Sequence, residues 1–126
     1  MELKTKLYLI DEEGNKFMGI GVLWLLQQVH VQKSLRQAAS VLGISYSKAF
    51  SMIRNLEKSL GVAVLDRRKG GSARDGATLT EFGVRFIERY ASFEQDAKQQ
   101  LQQSYEQFRT QLAELLEAGD DSGGVQ

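Results

Sequence analysis

The sequence predicts a mainly α domain (α+β), in which short β-hairpins are set among helices, and three observations predict it. Apolar residues recur at steps of three and four through most of the chain, which is the spacing of a helix face. Two stretches, residues 4–18 and 62–79, read instead as short extended runs bent around turn-forming residues. The 126 residues contain no proline, so composition does nothing to interrupt long helices.

Composition also sets limits. At 42% hydrophobic residues, a chain of 126 builds one domain with, at most, an appended element. No run reaches the about 18 apolar residues that a membrane span needs. The N-terminus acquires acids where a signal peptide would need an apolar stretch, so the expected location is cytoplasmic. The absence of cysteine excludes disulfides, thiolate catalysis and cysteine-held metals. His30 is the only histidine and reads as a partly buried surface residue rather than a ligand. With no convergent set of catalytic groups, neither an enzyme nor a cofactor or metal is expected.

Residues 4–10 alternate polar and apolar before the turn-like Asp11-Glu12-Glu13-Gly14-Asn15, and Lys16-Phe17-Met18 can pair back as an N-terminal β-hairpin. Residues 19–31 hold Ile20, Val22, Leu23, Leu25, Leu26, Val29 and Val31 with Trp24. Apolar nearly all round, they form the first helix and are expected to be the most buried one. Trp24 is expected as a core or dimer-contact residue.

Residues 34–61 read as two short helices joined by a tight turn. Ser34 opens an S-x-x-Q box with Gln37, which can satisfy free N–H groups at a helix start. Leu35, Ala38, Ala39 and Leu42 share a face, Gly43 sits where a left-handed residue ends a helix, Ile44 plugs the turn and Ser45 can cap the next helix. In that second helix Ala49, Phe50, Ile53, Leu56 and Leu60 line one face. The other carries Ser47, Lys48, Ser51, Arg54, Asn55 and Lys58, with no carboxylate among them. Glu57 falls about 40° from the centre of the apolar stripe, at its margin. A donor-bearing face without acids suits a phosphate-lined groove, so this pair is a helix-turn-helix whose second helix is the expected DNA reader. The alternative is a helical hairpin with an ordinary solvated face.

Residues 62–65 read as a strand, residues 66–76 as a basic, glycine-bearing loop, and residues 77–79 as the returning strand. Together they make the wing of a winged helix-turn-helix. Gly70, Gly71 and Gly76 let the backbone turn and approach a sugar-phosphate chain, and Arg67, Arg68, Lys69 and Arg74 supply charge. A nucleotide-cradling loop is the other reading of such glycines, but the pattern GxxxxGK[ST] is lacking.

Thr80 can cap a helix over residues 81–117, roughly 55 Å long at ~1.5 Å per residue. Phe86, Tyr90, Phe93, Ala97, Leu101, Tyr105, Phe108, Leu112 and Leu115 form a coiled-coil-like seam, weakened by glutamines near its middle. A helix that outruns its domain with one apolar stripe needs a partner, and a second copy is the simplest, which makes this a long C-terminal dimerisation helix. The alternative is that it folds back on its own domain. The expected domains are residues 1–79 (winged helix-turn-helix), 80–117 (dimerisation helix) and 118–126 (disordered tail).

The formal net charge of zero averages unlike parts. Residues 34–80 carry eight bases against three acids, and residues 81–126 carry four bases against nine acids. Salt screens beyond about 8 Å, so a duplex feels the basic segment locally.

In order and in residues, the chain resembles the N-terminal DNA-binding half of ModE-type molybdate-responsive regulators and, more distantly, the LysR-type helix-turn-helix. The resemblance covers roughly residues 7–90. It is carried by MGIGVLWLLQQV, SLRQAASVLGISYSKAF and RRKGGSARDGATLTEFG. It implies a homodimeric winged-helix regulator in which Ser45, Tyr46, Ser47, Lys48 and Ser51 lie at the major groove and residues 70–74, with Gly70, Gly71, Ser72 and Arg74, at the backbone. By rotation Tyr46 falls on the inward side, which leaves packing as its alternative role. Phe50 stands where the family commonly has tryptophan, and Arg74-Asp75 interrupt what is often all glycine. The family's C-terminal oxyanion-binding domains are not matched, so no molybdate site carries over and no effector is named. With Ser34, Arg36 and Arg54 of the helix pair and Arg67, Arg68 and Lys69 of the wing, these residues make up the expected DNA-binding set. The expected function is a sequence-specific, double-stranded DNA-binding transcriptional regulator, homodimeric on a pseudo-palindromic operator. The alternative is a winged-helix protein–protein adaptor.

Overall fold

The structure, a computed structural model, describes residues 1–66 and 76–121. The chain orders as β1 (Tyr8–Ile10), β2 (Lys16–Gly19), α1 (Ile20–Gln32), α2 (Leu35–Leu42), α3 (Tyr46–Leu60), β3 (Leu65–Asp66), β4 (Thr78–Leu79) and α4 (Glu81–Asp121). This is the winged helix-turn-helix order that the sequence predicts. Two compact units emerge, Lys6–Ser92 and a second made of Met1–Thr5 with Phe93 onward.

In the first unit, β1 and β2 pair antiparallel, with Tyr8 opposite Gly19 and Leu9 opposite Met18. Their turn is held by the Asp11 carboxylate, which accepts from the N–H groups of Glu13 and Asn15, each at 2.9 Å. Met18, fully buried, anchors the hairpin to the core. Helix α1 buries Leu23, Leu25, Leu26 and Val29. It does not bury its whole surface: Trp24 is 52% exposed and Val31 69%. Trp24 is therefore not a core residue. The neighbouring elements bury one side of α1, and Trp24 and Val31 project from the other.

The helix pair forms as its caps dictate. The Ser34 hydroxyl accepts from Gln37 N–H at 3.1 Å, and the Ser45 hydroxyl from Lys48 N–H at 3.0 Å. Gly43 and Gly61 end α2 and α3 in the left-handed region, φ 71° and 73°, which glycine enters without steric cost. Leu35, Ala38 and Ala39 of α2 and Ala49, Ile53 and Leu56 of α3 are buried with Leu25, Leu26 and Val29 of α1 in one core.

Beyond Gly61 the expected strand at residues 62–65 shrinks to Leu65–Asp66, paired with Thr78–Leu79. Val62 and Ala63 are not paired in a sheet, and Val64 keeps only half of its place in the ladder. Its N–H goes to the Glu57 carboxylate at 2.8 Å and its carbonyl accepts from Thr80 N–H at 2.9 Å. The second wing strand is tied to the helix pair: Gly76 bridges Ser34, and Ala77 N–H donates to Lys33 O at 3.0 Å.

Thr80 caps α4 by accepting from Gly83 N–H at 3.0 Å while its own hydroxyl donates to Ala63 O at 2.8 Å. A Cβ on Gly83 would stand 2.5 Å from Val64 O, so only glycine permits this approach of α4 to the strand. The helix runs to Asp121, four residues beyond the Glu117 at which the sequence reading ends it. Ala118 favours continuation, and one glycine costs a helix only about 1 kcal/mol. The remaining residues expected as a tail, 122–126, lie outside the described ones.

In the second unit, the part of α4 from Phe93 carries exposed apolar side chains at Phe93, Leu101, Phe108 and Leu115, 40–68% accessible. These are members of the expected seam.

Candidate nucleic-acid interface

Capping by Ser45 sets the phase of α3, and the buried side of that helix sets which residues face out. Ser47, Lys48, Ser51, Arg54, Asn55 and Lys58 are all exposed, as their spacing predicts. Ala49, Ile53 and Leu56 turn inward. The outward face thus presents three cations and short hydrogen-bonding groups, with no acid.

The one carboxylate of α3 is withdrawn from that face. Glu57 Oε2 accepts from Val64 N–H at 2.8 Å and from Leu65 N–H at 3.2 Å, joining the last turns of α3 to the root of the wing. The sequence placed Glu57 at the margin of the stripe, but its partners lie seven and eight residues on and needed the fold to be seen.

At the N-terminal end of α3 an aromatic ladder joins the two helices. The Arg36 guanidinium lies 4.4 Å from the centre of the Tyr46 ring. Tyr46 stacks on Phe50 at 6.2 Å between ring centres and 29° between planes. The Arg54 guanidinium stands 5.8 Å from the Phe50 ring centre. Phe50, expected as a core aromatic, is half-buried. It lines a groove of about 520 Å³ between α3 and the wing root, together with Arg54, Glu57, Ala63, Leu65, Asp66 and Thr80.

Among the residues expected to meet DNA, the fold brings Arg36, Tyr46 and Arg54 together in the ladder, and sets Ser45, Ser47, Lys48 and Ser51 along the start of α3. Ser34 stands apart. It is only 7% exposed and its hydroxyl is engaged as the cap of α2, so its role in the fold is structural. Arg67, Arg68, Lys69, Gly70, Gly71, Ser72 and Arg74 lie outside the described residues; the strands that flank them are in place. Thr80 and Gly83, which hold α4 against the wing root, were visible in the sequence only as a cap and a glycine.

Residues 22–84, half of the chain, match the family described as "Bacterial regulatory helix-turn-helix protein, lysR family". The chain belongs to this family. Its relatives include the transcriptional regulator ModE of Yersinia pestis, 35% identical over 66 residues, or 52% of this chain and 25% of that protein. The DNA-binding transcriptional dual regulator ModE of Escherichia coli is 33% identical over the same length. The match thus spans about a quarter of the length of these curated relatives. Among solved structures, the CbnR DBD–DNA complex is similar at a TM-score of 0.56 and 25% identity, over 69% of this chain and 94% of that one. The BenM DBD/benA site 1 DNA complex is similar at 0.54 and 25%, over 71% and 94%. The LysR-family match takes in α2, α3, the wing and the first turn of α4, and so contains Thr80 and Gly83.

Proposed function

We propose that the protein is a sequence-specific, double-stranded DNA-binding transcriptional regulator that works in the cytoplasm as a homodimer. The observation that carries this reading is the outer face of α3, where Lys48, Arg54 and Lys58 are exposed and the one acid of the helix is turned away to the wing root. That the similar CbnR and BenM structures are DNA complexes supports it. In this reading α3 enters the major groove. Ser45, Ser47, Lys48 and Ser51 lie near base edges, while Arg36, Arg54 and the wing cations meet the phosphates. The exposed stripe of α4 joins two copies. A two-fold pair of recognition helices reads a pseudo-palindrome with half-sites about 34 Å, or a multiple, apart.

The test is selection of bound sequences from a random duplex pool, followed by titration of the selected and random duplexes from 0.05 to 0.2 M salt. Affinity for both falls with salt, and the selected duplex binds tighter. Lys48→Ala costs about 1–3 kcal/mol on the selected duplex and changes the selected sequence. A second reading, a protein–protein adaptor, is favoured by the exposed apolar stripe of α4. A stable dimer with no duplex binding at 0.05 M salt is the result that would establish it in place of the first.

A further inference from the structure

The aromatic ladder assigns roles that the helix face alone does not. Resting on the DNA-binding reading above, we propose that Arg36 and Arg54 are contacts to the phosphodiester backbone held in place by the Tyr46–Phe50 pair, and that Tyr46 is a positioning residue rather than a reader of bases. Tyr46 is the first residue of α3, where its phenol is expected to probe the groove. Its ring is instead engaged by the Arg36 guanidinium at 4.4 Å and by Phe50 at 6.2 Å, and the residue is half-buried.

Arg36 is exposed, and it comes from the first turn of α2, not from α3. A guanidinium resting on an aromatic ring keeps its charge and its planar fork of N–H donors, which matches phosphate oxygens. The contact also fixes a side chain that would otherwise lose rotamer freedom on binding. At the other end of the ladder, Phe50 holds Arg54 in the same manner at 5.8 Å. Tyr46, Phe50 and Arg54 follow at intervals of four, so they form one stripe along α3, with Arg36 added at its start from the neighbouring helix. The ladder thus ends in a cation at each end.

The experiment titrates wild-type protein, Arg36→Ala, Arg36→Lys, Tyr46→Phe, Tyr46→Leu and the Arg36→Ala/Tyr46→Leu double variant against selected and random duplexes between 0.05 and 0.2 M salt. Circular dichroism checks that each variant is folded. Arg36→Ala lowers the slope of log affinity on log salt by about one, weakens both duplexes by the same factor, and Arg36→Lys restores the slope. Tyr46→Phe, which keeps the ring and loses the hydroxyl, leaves affinity and the selected-to-random ratio unchanged. Tyr46→Leu weakens both duplexes by roughly two- to five-fold, the size of an exposed cation–π contact. The double variant is no weaker than Arg36→Ala alone, because Tyr46 acts through Arg36.

A fall in the selected-to-random ratio in Tyr46→Phe would overturn the positioning role, since the hydroxyl would then be reading a base. A wild-type protein that binds, with an unchanged slope in Arg36→Ala, would overturn the inference alone. A wild-type protein that binds no duplex at 0.05 M salt would overturn the regulator reading and the phosphate contacts with it.

Discussion

Removing the Glu57 carboxylate tests how α3 and the wing root are joined. In Glu57→Ala the N–H groups of Val64 and Leu65 lose their acceptor, and both residues lie in the core, Val64 wholly buried and Leu65 9% exposed. An unsatisfied buried donor costs about 1–3 kcal/mol. The shorter bond, at 2.8 Å to Val64, should carry most of that and the 3.2 Å bond less. The expected loss for the pair is about 2–4 kcal/mol. Glu57→Gln keeps an oxygen acceptor and gives up only the charge assistance, so about 1 kcal/mol is expected. With a urea slope of about 2 kcal/mol per molar, the alanine variant moves the unfolding midpoint down by about 1–2 M with its slope unchanged. Hydrogen exchange localises the effect: the Val64 and Leu65 amides should speed up beyond the global change. An alanine variant within about 0.5 kcal/mol of wild type, or glutamine as damaging as alanine, would refute the reasoning.

Three further outcomes follow from the same geometry. Gly83→Ala must push a Cβ to 2.5 Å from Val64 O, so α4 shifts at its root and urea unfolding should show a loss of about 1–3 kcal/mol. Ser34→Ala removes the cap of α2 and should cost about 1 kcal/mol in urea unfolding, while the salt slope of duplex binding stays at its wild-type value because the hydroxyl faces Gln37 N–H and not solvent. Phe108→Glu places a charge in the middle of the exposed stripe of α4 and should turn a dimer into a monomer by light scattering; a dimer that persists places the contact between copies elsewhere.

What the sequence made legible was everything set by local spacing. The caps at Ser34, Ser45 and Thr80, the left-handed glycines and the outer face of α3 all depend on residues within a turn or two of one another. The hairpin of β1 and β2 could be read for the same reason, from a turn between two alternating runs. What escaped was set by contacts between distant segments. The strand expected at residues 62–65 contracted where the Glu57 carboxylate takes the N–H of Val64, a partner seven residues away in sequence. Of the two roles expected for Trp24, the core one fell away because apolar composition does not say how many neighbours will cover a helix. The ladder was invisible because Arg36 and Tyr46 sit on different helices, and only the turn at Gly43 brings them together.

The helices use their cations in opposite ways, and this resolves the paradox of a nucleic-acid reader with no net charge. On α4, Arg85 pairs with Glu81 at 2.8 Å, Lys98 with Glu94 at 3.3 Å and Arg109 with Glu106 at 3.4 Å, each one turn along the same helix. Such pairs stabilise a solvated helix by a few tenths of a kcal/mol and neutralise the cations in them. On α3, among the described residues, Lys48, Arg54 and Lys58 have no carboxylate partner, and the one acid is engaged by backbone N–H groups at the wing root. Arg54 leans on an aromatic ring, which steadies the group without neutralising it. A cation held in that way keeps its charge for an incoming phosphate, whereas a cation in an ion pair must first give up its partner. The placement of the acids therefore decides which helix a duplex feels, because beyond about 8 Å the compensating charges elsewhere are screened.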